Sequence, residues 1–344
     1  MRMANPSLRP VRTWLIAICI MIFVMVVLGG VTRLTESGLS IVEWNPVMGA
    51  LPPLNERAWQ AAFDSYRATA EFRTYNFWMT LADFRAIFWL EYAHRLWGRL
   101  IGLAFAVPLI WFWARGAVRG ALAAQLAGAF VLGAAQGALG WYMVASGLVD
   151  RPSVSHYRLS AHLALAVAIY GWLLWIALGL SPARERATAP RAARALAWVM
   201  LGWASLAMLW GAFTAGLDAG MTYPTFPLMG GAVVPPGAFE MRPVLVNAVE
   251  NPALVQFVHR ALAISFVLAV FGFWLWSRAF LPASLRIPVA VLALAAFLQA
   301  CLGVATLLTG VAVAVAALHQ AGAMVVFSCA VWCAFALKRS EPRP

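Results

Sequence analysis

The sequence predicts an all-α integral membrane protein whose eight transmembrane helices form two pseudo-symmetric antiparallel four-helix bundles. Three observations lead to this class. The chain is 63% hydrophobic and only 11% charged, with a mean hydropathy of +0.80, which leaves too little polar surface for a soluble globule. Apolar runs long enough to cross the hydrocarbon core, about 20 helical residues each, recur eight times. Finally, the second half of the chain repeats landmark residues of the first at matching places.

The expected spans are 13–31, 88–113, 121–145, 159–180, 195–213, 255–277, 288–309 and 315–337. The first follows Arg2, Arg9 and Arg12 as a signal peptide would. It lacks a small-residue cleavage site and its apolar run is long, so it reads as a transmembrane helix. With the N-terminus inside, the inner segments hold Arg2, Arg9, Arg12, Arg115, Arg119, Arg184, Arg186, Arg191, Arg194, Arg278, Arg286, Lys338, Arg339 and Arg343 against Glu185 and Glu341. The net charge of +12 is thereby a positive-inside signature and not a nucleic-acid surface. Both termini are expected in the cytoplasm, in a multi-pass protein of the bacterial inner membrane.

Between the first two spans lies the longest polar segment, residues 32–87, mixed in charge and broken by Pro46, Pro52 and Pro53. It suits a folded outer cap, with Glu56–Tyr66 as a short amphipathic helix because Trp59 and Phe63 share a face. A second outer segment, residues 214–254, runs through Tyr223-Pro224-Thr225-Phe226-Pro227 and Pro235-Pro236-Gly237, which forbid a continuous helix. Cys19, Cys301, Cys329 and Cys333 all fall within spans, so no structural disulfide is expected and Cys329 with Cys333 reads as a pair of packing thiols. Gly29-Gly30 and Gly230-Gly231 lack the strand-to-helix context of a phosphate loop.

The internal repeat organises the chain. His94-Arg95 in span two is echoed by His259-Arg260 in span six, Gln136-x-x-Leu139-Gly140 in span three by Gln299-x-x-Leu302-Gly303 in span seven, and His162 in span four by His319 in span eight. Spans one to four therefore resemble spans five to eight, and both halves point the same way. The division expected is 1–180, a cytoplasmic linker 181–194, and 195–344.

Of the five histidines, His94, His162, His259 and His319 lie at similar depth near the outer ends of the even-numbered spans. Imidazole is a common haem-iron ligand, and bis-histidine ligation takes one ring from each of two facing helices. His94 with His162 and His259 with His319 would make one haem site per bundle, with Arg95, Arg99 and Arg260 placed to pair with propionates. His156, about 120° round a helix from His162, reads as a loop residue. Glu91, three residues before His94, is the best general acid or base in the chain. Gln256 stands at the same place before His259, so the reading is a reactive first half and an electron-handling second half. The tryptophans near span ends, Trp97, Trp111 and Trp113 among them, read as an interface belt.

These residues resemble the haem A synthase family, in its alphaproteobacterial and mitochondrial form. The likeness rests on Gly29-Gly30-Val31-Thr32-Arg33-Leu34-Thr35-Glu36-Ser37-Gly38-Leu39-Ser40, on Phe88-Trp89-Leu90-Glu91-Tyr92-Ala93-His94-Arg95-Leu96-Trp97-Gly98-Arg99, on Tyr157-Arg158-Leu159-Ser160-Ala161-His162, and on Val258-His259-Arg260 with Leu318-His319-Gln320. It covers essentially the whole chain. The resemblance implies oxidation of the C8 methyl group of haem O to a formyl group, by two hydroxylations and loss of water from a gem-diol, giving haem A for cytochrome c oxidase. It implies that His94 and His162 face the substrate haem O, that Glu91 assists the chemistry, and that His259 and His319 hold a haem b that relays electrons. Expected partners are haem O, haem O synthase as its supplier, an electron donor the sequence does not identify, and the lipid bilayer. No nucleic acid is expected, and a homo-oligomer is compatible with the sequence. Some bacterial relatives carry a cysteine pair in the first outer loop. This chain has no cysteine between Cys19 and Cys301, so a thiol-dependent step does not carry over.

Two other readings compete. A non-catalytic di-haem b-type electron-transfer protein would place histidines at both membrane depths, whereas these four lie near one face. A transporter would share the duplicated bundles and intramembrane charges but would be colourless.

Overall fold

A computed structural model gives the fold and describes residues 8–43, 49, 51–147, 154–181, 187–338 and 341–342. In chain order the helices are α1 (Arg9–Leu34), α2 (Glu56–Arg67), α3 (Leu81–Ala114), α4 (Gly120–Gly147), α5 (His156–Gly179), α6 (Arg191–Gly216), α7 (Asn247–Glu250), α8 (Pro252–Phe280), α9 (Ala283–Leu308) and α10 (Val313–Lys338). All but α2 and α7 are long and apolar enough to cross a membrane, eight among the described residues. The protein is thus a nearly all-helical, multi-pass membrane protein. Arg2, Arg184, Glu185, Arg186, Arg339 and Arg343 of the charge pattern, Pro46, and part of the linker 181–194 lie outside the described residues.

Every span is present, and the helices overrun their apolar runs because polar caps set the ends. α3 begins seven residues before the expected span, where Thr80 and Asp83 form a capping box, with Thr80 N–H donating to Asp83 Oδ2 at 2.9 Å and Asp83 N–H to Thr80 Oγ1 at 3.4 Å. α8 starts at Pro252, behind Asn251, whose side chain accepts from Ala253 N–H at 2.9 Å. His156 corrects the sequence reading. It is the first residue of α5, buried, with its ring 4.1 Å from that of Tyr157. Burial against an aromatic neighbour, not the polarity of the preceding residues, decides its place.

Packing separates the chain into two compact units, Met1–Cys19 with Tyr170–Pro344, and Ile20–Ile169. In the first, α6 packs on α8, α8 on α9, α9 on α10 and α10 on α6, closing a four-helix ring. Its core repeats at helical spacing: Ala193, Ala197, Met200 and Ala204 on α6 meet Val270 and Phe273 on α8, Leu292 and Ala296 on α9, and Ala330 and Ala334 on α10. The small side chains of α6 let neighbouring backbones come close, which is how apolar helices gain packing in lipid. Cys333 is part of this core, Cys329 packs against it, and all four cysteines are free. The C-terminal part of α5 belongs here too, with Tyr170 and Ser328 hydroxyls 2.7 Å apart.

In the second unit α3 packs on α4, and Trp97 Nε1 donates to the Met21 carbonyl of α1 at 2.9 Å. The expected cap helix is α2, capped by Asn55. Its Trp59, Phe63 and Tyr66 pack on Phe84 and Phe88 of α3, with the Trp59 and Phe88 rings 4.9 Å apart. The segment 214–254 has no long helix, and α7 with two short 3₁₀ turns is its only helical structure beyond the end of α6 and the start of α8 among the described residues.

Candidate functional site

Each of the four histidines that the repeat singles out lies against a glycine of another helix. A Cβ built on Gly140 of α4 would stand 2.9 Å from His162 Cε1, one on Gly211 of α6 3.0 Å from His259 Cε1, and one on Gly303 of α9 3.0 Å from His319 Cε1. At Gly29 of α1 the nearest atom is His94 Nε2, at 3.1 Å. Any larger side chain would displace the ring, so the glycines form a cradle that sets where each imidazole sits.

One pair that the repeat suggests has its rings in contact. His259 and His319 have ring centres 6.5 Å apart and planes at 86°. His94 and His162 lie within electrostatic reach of one another. An iron bound to two imidazole nitrogens, at the ~2 Å usual for metal–imidazole bonds, leaves the ring centres roughly 6 Å apart. The second pair therefore fits a bis-histidine haem. All four histidines are half-buried. Among the described residues no three or more His, Cys, Asp or Glu side chains gather into a metal cluster, so a metal held here would be held by pairs.

The groups beside the histidines fasten the loops next to them. Glu91 is 2% exposed, and its Oε2 accepts from Ser40 Oγ at 2.7 Å and Ile41 N–H at 2.8 Å, while Oε1 pairs with Arg95 at 2.5 Å. Arg95 also donates to the Ile41 carbonyl at 2.8 Å and that of Glu43 at 3.4 Å. A buried carboxylate with three donors is a fully compensated charge, and losing one partner would leave the other unpaired. In the other unit Arg260 donates to the carbonyls of Thr225 at 2.8 Å and Tyr223 at 2.5 Å. Gln256, where Glu91 would be, donates to the Gly220 and Tyr223 carbonyls at 3.2 Å each. The two His-Arg motifs thus do the same local work: each ties the loop above it to its helix. Arg99 lies one turn beyond Arg95 on α3 and is half-buried.

Sequence reasoning singles out neither the cradle glycines nor Ser40 and Ile41, which bind Glu91, as site residues. The glycines are within its reach, since Gly140 and Gly303 end the repeated Gln-x-x-Leu-Gly stretch; Ser40 and Ile41 are not, being about 50 residues from Glu91 in the chain. A further buried group lies in the cap, where Asn76 Nδ2 donates to the Tyr66 hydroxyl at 2.7 Å and that hydroxyl faces Glu71. Burial, with Glu91 and Glu36 adding repulsion, pushes the Glu71 carboxyl up to about 8.

Comparison with known proteins gives the family of the chain. The family described as "Cytochrome oxidase assembly protein" matches residues 12–331. Relatives named "Heme A synthase" include one from Paramagnetospirillum magneticum, 47% identical over 337 residues that cover 96% of this chain and 94% of the relative. Another, from Rhodospirillum centenum, is 47% identical over 97% of this chain and 90% of its own length. A third, from Nitrosospira multiformis, is 45% identical over 96% and 94%. With a match of this length and identity, the chain belongs to the cytochrome oxidase assembly protein family and is a relative of the heme A synthases.

Proposed function

We propose that this protein is a haem A synthase, an oxidoreductase that converts the C8 methyl group of haem O to a formyl group. The carrying observation is the pairing of imidazoles on facing helices against glycine cradles, in a chain whose near-full-length relatives are heme A synthases. In this reading the chain divides in its own order into a substrate half (1–180), a linker (181–194) and a cofactor half (195–344). It sits in the bacterial inner membrane with both termini cytoplasmic.

His259 and His319 hold a resident haem b, which supplies one-electron redox chemistry when bound. His259 suits this role because its Nδ1 lies 3.1 Å from the Ala207 carbonyl. A proton held there leaves Nε2 as the free ligand nitrogen. His94 and His162 orient the substrate haem O. Arg95, Arg99 and Arg260 would pair with haem propionates. A guanidinium has five N–H donors, so Arg260 keeps donors beyond the two it gives to loop carbonyls.

Glu91 is the acid or base of the substrate half. With three donors on its carboxylate, it exchanges a proton only as one of those bonds loosens, and Ser40 is the partner whose hydroxyl can itself carry one. Haem O synthase is the candidate supplier of the substrate, and an electron donor completes the reaction.

The test is product formation. A host that makes haem O but not haem A is expected to accumulate haem A when it expresses this protein. Haem O alone, beside a purified protein that carries haem, would instead favour a non-catalytic electron-transfer role.

A further inference from the structure

Gln136 and Gln299 stand one helical turn before the cradle glycines Gly140 and Gly303, on the same helix face, and the proposed reaction gives them no part. Gln136 Nε2 donates to the main-chain carbonyl of His162 at 3.0 Å. Gln299 Nε2 donates to that of His319 at 2.8 Å and lies 3.1 Å from its Nδ1. A helix-interior carbonyl already accepts from its own helix, so these bonds are tethers between helices.

Three buried atoms at these tethers lack a hydrogen-bond partner among the described residues: Gln136 Oε1, Gln299 Oε1 and His162 Nδ1. An unmade buried bond is costly, yet two of these orphans, Gln136 Oε1 and His162 Nδ1, sit on residues that a tether already joins. Gly322, one turn past His319, leaves the space that Gln299 Oε1 occupies.

An imidazole that binds iron through Nε2 carries its proton on Nδ1, and an acceptor there fixes its tautomer and orientation and makes it a stronger donor. His259 has such an acceptor in the Ala207 carbonyl. We propose that Gln136 and Gln299 are positioning residues that serve His162 and His319 in the same way, each amide turning its Oε1 to accept the Nδ1 proton when Nε2 engages iron. The Gln-x-x-Leu-Gly stretch is then one device, in which the glutamine orients the ring and the glycine makes room for it. This rests on the haem-binding reading above.

The test uses the full-length protein purified with its resident haem, whose midpoint potential is measured in the wild type, Gln299→Leu and Gln299→Glu. A stronger acceptor at Nδ1 enriches the ligand and favours ferric iron. The potential is therefore expected to be lowest in Gln299→Glu, intermediate in the wild type and highest in Gln299→Leu. Equal potentials with unchanged haem content overturn the proposal. Should Gln299→Leu lose its haem, Gln299→Glu against the wild type decides by the same criterion. Gln136→Leu is expected to leave that potential unchanged while lowering haem A yield on the order of 10-fold; an unchanged yield removes Gln136 from the proposal. Wild-type protein without a low-spin haem would overturn the haem-binding reading itself, an outcome distinct from equal potentials.

Discussion

The histidine pair of α8 and α10 and the pair of α3 and α5 share residue types but not settings. His259 and His319 present the same ring edge to their glycines, with Cε1 at 3.0 Å in both, and each Nδ1 has a neighbour, Ala207 or Gln299. Their helices belong to a closed ring, and α8 and α10 bury 28% and 44% of their apolar windows. In the other pair His162 presents Cε1 to Gly140 but His94 presents Nε2 to Gly29. Here α3 and α5 bury 11% and 33% of theirs, and the neighbouring clamp is the Glu91–Arg95 salt bridge where the second half has Gln256 and Arg260. One pair is built into a closed ring of helices, and the other stands beside a charged clamp on a helix, α3, that buries little of its apolar surface. That difference is what a resident cofactor and an exchanging substrate would each require.

Breaking the pairs one at a time tests this contrast most strongly. His259→Ala or His319→Ala is expected to strip the resident haem and abolish its low-spin absorption band. His94→Ala or His162→Ala is expected to keep that band and stop haem A formation. Equal loss of the band from all four variants would erase the distinction between the halves.

Glu91 sharpens it next. Glu91→Ala leaves Arg95 without its buried partner, a loss of roughly 3–5 kcal/mol that a thermal melt detects, and is expected to stop product formation with the resident haem still bound. Glu91→Gln copies the residue that stands before His259 and keeps one acceptor oxygen, enough for Arg95 or for Ser40 and Ile41 but not for both sides. It should fold and hold haem. Wild-type haem A yield in Glu91→Gln would reduce the carboxylate to a loop fastener.

The cradles give the smallest effect. Gly303→Ala forces a Cβ against His319 and should cost about 1–3 kcal/mol through overpacking, read as weakened retention of the resident haem during purification. Gly140→Ala, in the other half, is expected to leave haem content unchanged and to lower haem A yield. A reversed pattern would mean that the halves are assigned the wrong way round.

Much of this is legible in the sequence, for identifiable reasons. The eight spans follow from apolar runs of bilayer length, and α2 from the spacing of Trp59, Phe63 and Tyr66. The histidine pairs follow from the repeat of His94-Arg95 in His259-Arg260. Helix ends are less legible, since Thr80 and Asp83 extend α3 beyond its apolar part. His156 is misplaced by a sequence reading because its polar neighbours conceal a buried position. Arg95 and Arg260 read only as propionate partners because a sequence displays charge and not the main-chain carbonyls of Ile41, Tyr223 and Thr225 that a folded loop brings to them.

By itself the sequence determined that this chain spans a membrane eight times, that its halves are related, and which imidazoles and carboxylate lie within apolar helices. Those properties depend on local composition and spacing, which lipid and helical geometry translate directly into structure. Only the tertiary structure decided that Glu91 is fastened by Ser40, Ile41 and Arg95, that each histidine of the two pairs rests on a glycine of another helix, and that His94 and His162 meet their glycines by different ring edges. These depend on the approach of backbones distant in the chain, where a few tenths of an ångström between a missing Cβ and an imidazole set the direction in which a ligand points.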